Sequence, residues 1–254
     1  MDQKTDSENQ ENRTLSRRTA LGLIGAVATG SLLGTFPKSV LGIPPVKKNK
    51  IISPLPSCIV TPQQTEGPYF VDEKLNRADV RKDPADGSVK DGAELKLMFQ
   101  VSQVKDGACV ALPSALVDIW QCDALGVYSD VQDRSFDTRG KKFLRGQQMT
   151  DKNGKVEFTT IFPGWYPGRA VHIHFKVRSN SSSGNNYEST SQVYFDDLII
   201  DKIHALAPYA SKGQRTLRND RDGIFRRSGQ QLTVPIAKNE KGYAGSFDIG
   251  LQLS

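Results

Sequence analysis

Seven short runs that alternate apolar and polar residues, or are rich in β-branched side chains, follow one another along this chain. They are Glu94 to Gln103, Ala115 to Gln121, Lys155 to Ile161, Ala170 to Arg178, Ser189 to Phe195, Leu232 to Ile236 and Tyr243 to Leu253. Period-two patterning of this length marks strands that are buried on one face. Between the runs stand turn signals, Lys105-Asp106-Gly107, Asp151-Lys152-Asn153-Gly154 and Ser181-Ser182-Ser183-Gly184, in which glycine supplies backbone freedom. Only Asp196 to Ala207 reads as a short helix, followed by an irregular excursion through Asn219 to Phe225. Strands this short cannot cover their own apolar faces. The series therefore predicts an all-β chain, a β-sandwich of two sheets with a few short helices and long connecting loops. A length of 254 residues with 37% hydrophobic content is enough for one substantial core.

The first fifty residues follow other rules. A polar, acidic start runs into Ser16-Arg17-Arg18-Thr19-Ala20-Leu21, then an apolar stretch from Ala20 to Leu33, then Pro37 and Lys38. This pattern resembles a twin-arginine export signal. The apolar stretch is diluted by Gly22, Gly25, Thr29 and Gly30 and is too short to cross a hydrocarbon core of about 30 Å. Residues 1–45 are thus expected to be a signal peptide and linker, and 46–254 the β-sandwich domain. The expected destination is periplasmic or extracellular, with no stable membrane insertion once the signal is cleaved.

Charge and cysteine usage narrow the partners. The net charge of +6 is concentrated at the start, where residues 1–50 hold eight Lys/Arg and four Asp/Glu, leaving 26 and 24 for everything after. A nearly neutral domain without a basic stripe is a poor match for nucleic acid. Cys58, Cys109 and Cys122 permit one disulfide and one thiol in an oxidising compartment, with three pairings open. No C-x-x-C spacing suggests a zinc ribbon.

The sharpest constellation runs from Pro163 through Trp165, Tyr166, Arg169, His172 and His174 to Phe175. On a strand, His172 and His174 project to one face while Val171, Ile173, Phe175 and Val177 project to the other. The apolar set is expected to face the core and the histidines to face away from it. An H-x-H pair alone also fits a solvated polar face. Its company is more telling. Tyr166 stands six residues before His172 on a Pro/Gly-shaped turn, and Tyr128 lies near the end of the run from Val117 to Ser129.

These residues resemble the intradiol ring-cleavage dioxygenases, in particular the type of the protocatechuate 3,4-dioxygenase β subunit. The resemblance covers roughly Thr61 to Asp222 and rests on five blocks in the family's order. They are T-P-Q-Q-T-E-G-P-Y-F from Thr61, V-D-I-W-Q-C-D-A-L-G-V-Y-S from Val117, F-L-R-G-Q-Q-M-T-D from Phe143, the P-G-W-Y to H-I-H block, and S-Q-V-Y-F from Ser191. The resemblance implies one non-haem Fe(III) per chain, with Tyr128, Tyr166, His172 and His174 as its ligands. It implies Arg169 as the guanidinium beside the substrate, Gln192 as the group that orients it, and Trp120 as a pocket-lining residue. It also implies a small aromatic diol and O2 as reactants, opened between the two hydroxyl-bearing carbons to a cis,cis-muconate-type diacid. The chemistry of the implied ligands agrees. Hard Fe(III) favours anionic oxygen donors, whereas two imidazoles alone would equally suit Zn, Cu or Fe(II). Holding a tyrosine as phenolate at pH 7 costs about 4 kcal/mol, which an adjacent trivalent cation readily supplies.

One departure stands out. Only Pro167 and Gly168 separate Tyr166 from Arg169, where the protocatechuate and catechol enzymes have a longer loop, so a more open site is expected. The chain also lacks room for the helical N-terminal dimerisation domain of catechol 1,2-dioxygenases, and homo-oligomerisation is left open. Of the other blocks, Glu66-Gly67-Pro68-Tyr69 reads equally well as a structural turn, Trp120 as core, and His204 as a structural or surface residue without a partner. Two rival readings compete. A cupin-like metalloenzyme would need a carboxylate shortly after the H-x-H pair, and Phe175-Lys176-Val177-Arg178 offers none. A non-catalytic exported binding module would give no reason for Tyr128, Tyr166, His172, His174 and Arg169 to occur together.

Overall fold

Alternation of apolar residues in Glu94–Lys105 puts Leu95, Leu97, Phe99 and Val101 on one wholly buried face of β1, and that face sets the rest of the architecture. The computed structural model describes residues 59–180 and 186–253. The expected signal peptide and linker, Cys58 and the turn at Ser181 to Gly184 lie outside the described residues. After β1 come β2 (Ala108–Ala111), β3 (Leu116–Trp120), β4 (Arg145–Met149), β5 (Lys155–Ile161), β6 (His172–Asn180), β7 (Asn186–Tyr194), β8 (Ile236–Lys238) and β9 (Tyr243–Leu251). One sheet has the order β2-β1-β9-β8, with β5 also paired to β1, and the other has the order β4-β3-β6-β7. The sheets are packed face to face through aromatic rings. Phe99 of β1 lies 5.5 Å from Phe175 of β6, which lies 6.2 Å from Phe247 of β9. The chain is the all-β sandwich expected from its patterning.

Among the described strands only β1 and β9 pair in parallel, from Leu95 opposite Tyr243 to Gln103 opposite Leu251. Upstream, Thr61 is tied to the same last strand, its amide donating to the Gly250 carbonyl (2.8 Å) and its hydroxyl accepting from the Gly250 amide (2.9 Å). The expected helix is α1 (Asp197–His204), and the Asp196 carboxylate caps it by accepting from the Leu198 amide at 2.8 Å. Among the described residues no helix is long and apolar enough to cross a membrane.

Two expectations need correction. Leu232 to Ile236 is not a strand: Gly229–Leu232 forms a 3-10 turn and β8 starts only at Ile236. Pro235 has no amide to give to a ladder, and the segment instead makes a single bridge to β7, with the Val234 amide donating to the Tyr194 carbonyl at 2.9 Å. Arg145–Met149, with the sequence R-G-Q-Q-M, forms β4 although it carries no apolar alternation. Gly146 explains its place, because a Cβ there would fall 2.7 Å from Val80 Cγ1. Cys109 is disulfide-bonded, its partner lying outside the described residues, and Cys122 is a buried free thiol.

Candidate functional site

Cross-strand register assembles the first half of the site. In the second sheet His174 stands opposite Trp120 of β3 and Gln192 of β7, and His172 stands opposite Tyr194. Residues opposite each other in an antiparallel ladder share a face. The histidines do point away from the sandwich core, as their spacing predicts. That face is not solvated, however: each histidine is only 2% exposed. It is covered by the segment from Glu66 to Phe70 and by the two loops that carry the tyrosines.

Tyr128 lies between β3 and β4, and Tyr166 between β5 and β6. The first loop is shaped by Asp123, whose Oδ1 accepts from the amides of Leu125 and Val127, both at 3.0 Å. Gly126, at φ +79°, lies so close to the second loop that a Cβ would sit 2.2 Å from the Trp165 carbonyl oxygen. Gly164 makes the reciprocal approach. Its amide donates to the Asp123 carbonyl at 2.9 Å, and a Cβ there would fall 2.3 Å from the Ala124 carbonyl oxygen. Two backbones in contact place the Tyr128 and Tyr166 rings 5.9 Å apart. Beyond Tyr128, the buried Arg145 fixes Ser129 by donating to its carbonyl (2.6 Å) and hydroxyl (3.0 Å).

The polar atoms converge. His172 Nδ1 lies 2.6 Å from the Ala170 carbonyl; a carbonyl only accepts, so Nδ1 carries the hydrogen and Nε2 presents its lone pair. That Nε2 stands 3.1 Å from His174 Nε2 and 3.1 Å from the Tyr166 hydroxyl. The Tyr128 hydroxyl is buried and, among the described residues, has no hydrogen-bond partner. Burial, reinforced by the Arg169 charge, pulls the His172 pKa down to about 3, and burial with His172 beside it takes His174 well below its ordinary value. Burial also raises both phenols, with Tyr166 adding to the effect on Tyr128 and Arg169 opposing it on Tyr166. Neutral imidazoles facing each other, with an unsatisfied buried phenol alongside, are costly unless a cation joins them. A metal reverses that balance, because it binds imidazole lone pairs and favours phenolate. Among the described residues no three His, Cys, Asp or Glu side chains are grouped to hold a metal ion, so a metal here must draw on the tyrosines.

Arg169 is held rigidly at the edge of this cluster. Its Nε donates to Asp222 Oδ2 at 3.0 Å, its Nη2 to Gln192 Oε1 at 2.5 Å, and its Nη1 lies 3.5 Å from His172 Nε2. Gln192 is itself fixed, its Nε2 donating to the Thr65 carbonyl at 2.8 Å. Trp120, 1% exposed, stacks on His174 at 4.8 Å and 7° and meets Phe70 at 4.8 Å. The sequence-predicted residues Tyr128, Tyr166, His172, His174, Arg169, Gln192 and Trp120 therefore all meet in one place.

Several site residues were not foreseen. Asp222 Oδ2 also accepts from the Ala170 amide at 2.7 Å, so it fixes the chain just before His172; the irregular excursion around it gave no periodic signal. Tyr194 donates to Gln64 Oε1 at 2.8 Å and lies two residues beyond Gln192 on the same strand face, a spacing that could have singled it out. Tyr69, within the Glu66 block, stacks on Tyr128 at 4.6 Å, so that block is more than a turn. His204 is not partnerless: it is buried, with Nε2 at 3.0 Å from the Pro163 carbonyl and its ring stacked on Tyr209 at 5.0 Å.

With this geometry in place, the relatives are informative. The model of the family described as Dioxygenase matches residues 65–252. This chain belongs to the intradiol ring-cleavage dioxygenase family. An intradiol ring-cleavage dioxygenase from Tetranychus urticae has a similar structure, at 31% identity and a TM-score of 0.67, covering 77% of this chain and 95% of that one. Among curated relatives, the protocatechuate 3,4-dioxygenase beta chain of Burkholderia cepacia is 31% identical over 159 residues, covering 57% of this chain and 65% of that one. Catechol 1,2-dioxygenase of Acinetobacter baylyi is 28% identical over 200 residues, 65% of this chain and 59% of the relative. The chain thus spans about six-tenths of the length of these two curated relatives.

Proposed function

We propose that the chain opens catechol-type aromatic diols between their two hydroxyl-bearing carbons, using O2 and one non-haem Fe(III) held by Tyr128, Tyr166, His172 and His174. The convergence of His172 Nε2, His174 Nε2 and the Tyr166 hydroxyl within 3.1 Å contacts, beside the unpartnered Tyr128 hydroxyl, supports this reading most strongly. Two phenolates and two imidazoles suit ferric iron better than Zn, Cu or Fe(II). Ferric iron bound there would supply a Lewis acid that draws electron density from a catecholate ring and leaves it open to dioxygen.

The chain's own residues divide the remaining work. Tyr128 is sealed in the interior and serves as a fixed donor. Tyr166 is half-buried next to the exposed Pro167 and Gly168, so its phenolate oxygen has room to move and take a proton from an incoming diol. Arg169, locked by Asp222 and Gln192, would stabilise the negative charge that develops on the ring, a role that needs a cation fixed beforehand. Trp120 and Phe70 keep water from His174. The decisive measurement is the visible absorption spectrum of the iron-loaded protein. Phenolate donors produce a reddish charge-transfer band that Tyr128→Phe diminishes; a colourless iron-replete protein, or a spectrum unchanged in both Tyr128→Phe and Tyr166→Phe, would defeat the ligand set.

We further propose that the protein is exported by the twin-arginine route, on the strength of Arg17-Arg18 before a weakly hydrophobic stretch. That route carries folded proteins, which suits a metal centre loaded before export.

A further inference from the structure

Strand β6 carries more than histidines on the site-facing side. Residues 176 and 178 continue the same period-two row, and both are cations. Lys176 Nζ reaches Glu66 at 2.5 Å and Glu188 at 2.7 Å. Arg178 reaches Asp72 at 3.2 Å and Asp118 at 2.7 Å. Glu66 and Asp72 are the two ends of one seven-residue segment, and what lies between them touches the site. A Cβ on Gly67, at φ +74°, would meet the His174 ring at an ordinary contact distance of 3.5 Å, so the segment passes one methyl group's width from that imidazole. Tyr69 stacks on Tyr128 at 4.6 Å. Phe70 meets Trp120 at 4.8 Å and lies 4.1 Å beneath the Lys176 ammonium.

We propose that Lys176 and Arg178 are positioning residues whose ion pairs to Glu66 and Asp72 hold residues 66–72 as a strap over the His174–Tyr128 side of the centre. The strap closes that side to water and leaves the Tyr166–Arg169 side as the route for the diol. Its role in catalysis rests on the ring-cleavage reading; the strap itself does not. A ring stacked on Tyr128 leaves no layer of water between the two. A lysine side chain only 6% exposed needs a partner, and Glu188 already provides one, so the bond to Glu66 is left to act on the strap. On the far side the chain is open: Pro167 and Gly168 are exposed, and a Cβ on Gly168 would meet nothing within 4 Å.

The two pins are alike. Glu66 is 40% and Asp72 36% exposed, and each cation keeps a second partner off the strap, Glu188 for Lys176 and Asp118 for Arg178. Salt therefore screens both pins, and the strap loosens as ionic strength rises.

Trp120 lies under the strap and is one of two tryptophans. In a Trp165→Phe background it is the sole indole, and acrylamide quenching of its fluorescence reads how far the strap is open. Glu66→Gln keeps the Lys176–Glu188 pair and the fold, and should raise the quenching constant about threefold, the population change that losing a half-exposed ion pair produces. Lys176→Met should raise it at least as much, and the double variant no further. Molar salt should open the parent, and open Glu66→Gln by a smaller factor, because only the Arg178–Asp72 pin is then left to screen. In the iron-loaded protein, water reaching the Tyr128 phenolate should move the visible band of Glu66→Gln to shorter wavelength and lower kcat, with KM for catechol unchanged. Quenching equal to the parent in both single variants overturns the strap. Raised KM with unchanged kcat would place the access route on the strap side and overturn the proposal equally. The quenching experiment needs neither metal nor substrate, so a protein that proved inactive toward catechols would defeat the proposed function without deciding this one.

Discussion

Asp222 and Arg169, 53 residues apart in sequence, meet through a 3.0 Å bond from the Arg169 Nε to a carboxylate that is 1% exposed. The same carboxylate takes the Ala170 amide through Oδ2 and the Ile224 amide through Oδ1. Burial works against its charge, yet the Ala170 amide and the Arg169 guanidinium outweigh burial and hold its pKa below the usual carboxylate range. One side chain thus fixes both the cation of the site and the start of the histidine strand. Asp222→Asn keeps the shape and removes the charge. We expect turnover to fall by about 10- to 100-fold, the usual cost of losing a supporting partner around a metal centre. Turnover equal to wild type would show that Gln192 alone holds Arg169.

Where the ring breaks is the sharpest test of the reaction. With Tyr128 and Tyr166 as the proposed anionic donors, a panel of catechols is expected to give muconate-type diacids. Cleavage beside the diol would give a yellow semialdehyde instead. Arg169→Ala should lose about 10²-fold or more in rate, as removal of one fixed donor to a developing anion does elsewhere. Semialdehyde products, or no oxygen uptake with any catechol at full iron occupancy, would exclude the assignment.

The contact between the tyrosine loops is testable on stability alone. Gly126→Ala combines a positive φ with a Cβ only 2.2 Å from the Trp165 carbonyl oxygen. The strain should cost about 1–3 kcal/mol and separate the Tyr128 loop from the Tyr166 loop. Urea unfolding should show the loss, and the visible band should weaken in parallel. Gly140→Ala is the control, with a similar φ of +81° and nothing within 4 Å of the added atom; it carries the backbone strain without the collision.

Export can be examined without knowing the substrate. Replacing Arg17 and Arg18 together by lysine preserves charge and should leave the folded protein in the cytoplasm, as read by cell fractionation. Unaltered export of that variant would count against the twin-arginine route.

Much of this was legible in the sequence. The strand from Lys155 to Ile161 falls where its alternation puts it, and β1, β3, β6, β7 and β9 differ from expectation only at their ends. Period two also put His172 and His174 on one face. What it could not show is what covers that face. The Glu66 to Asp72 segment lies a hundred residues upstream of β6, and its contacts arise from tertiary packing that no local pattern encodes. β4 escaped notice because its two inward requirements, a glycine against Val80 and a buried arginine gripping Ser129, contradict the apolar signature of a strand. Asp222 escaped for a related reason: its partners lie on another loop, and a lone aspartate in irregular chain carries no period.

The parallel pairing of β9 with β1, and the Thr61–Gly250 bonds beside it, bear on how the molecule comes into being. β1 takes its central neighbour from Tyr243–Leu251, far downstream, so that sheet cannot close until the ribosome has made everything between them. Long-range pairings of this kind fold slowly, and until Tyr243–Leu251 arrives the inner edge of β1 lacks the partner it has in the finished sheet. Deleting Gly245 to Leu251 should therefore not trim the protein but keep it from assembling, with the sheet that carries His172 and His174 as the casualty although none of its own strands has been touched.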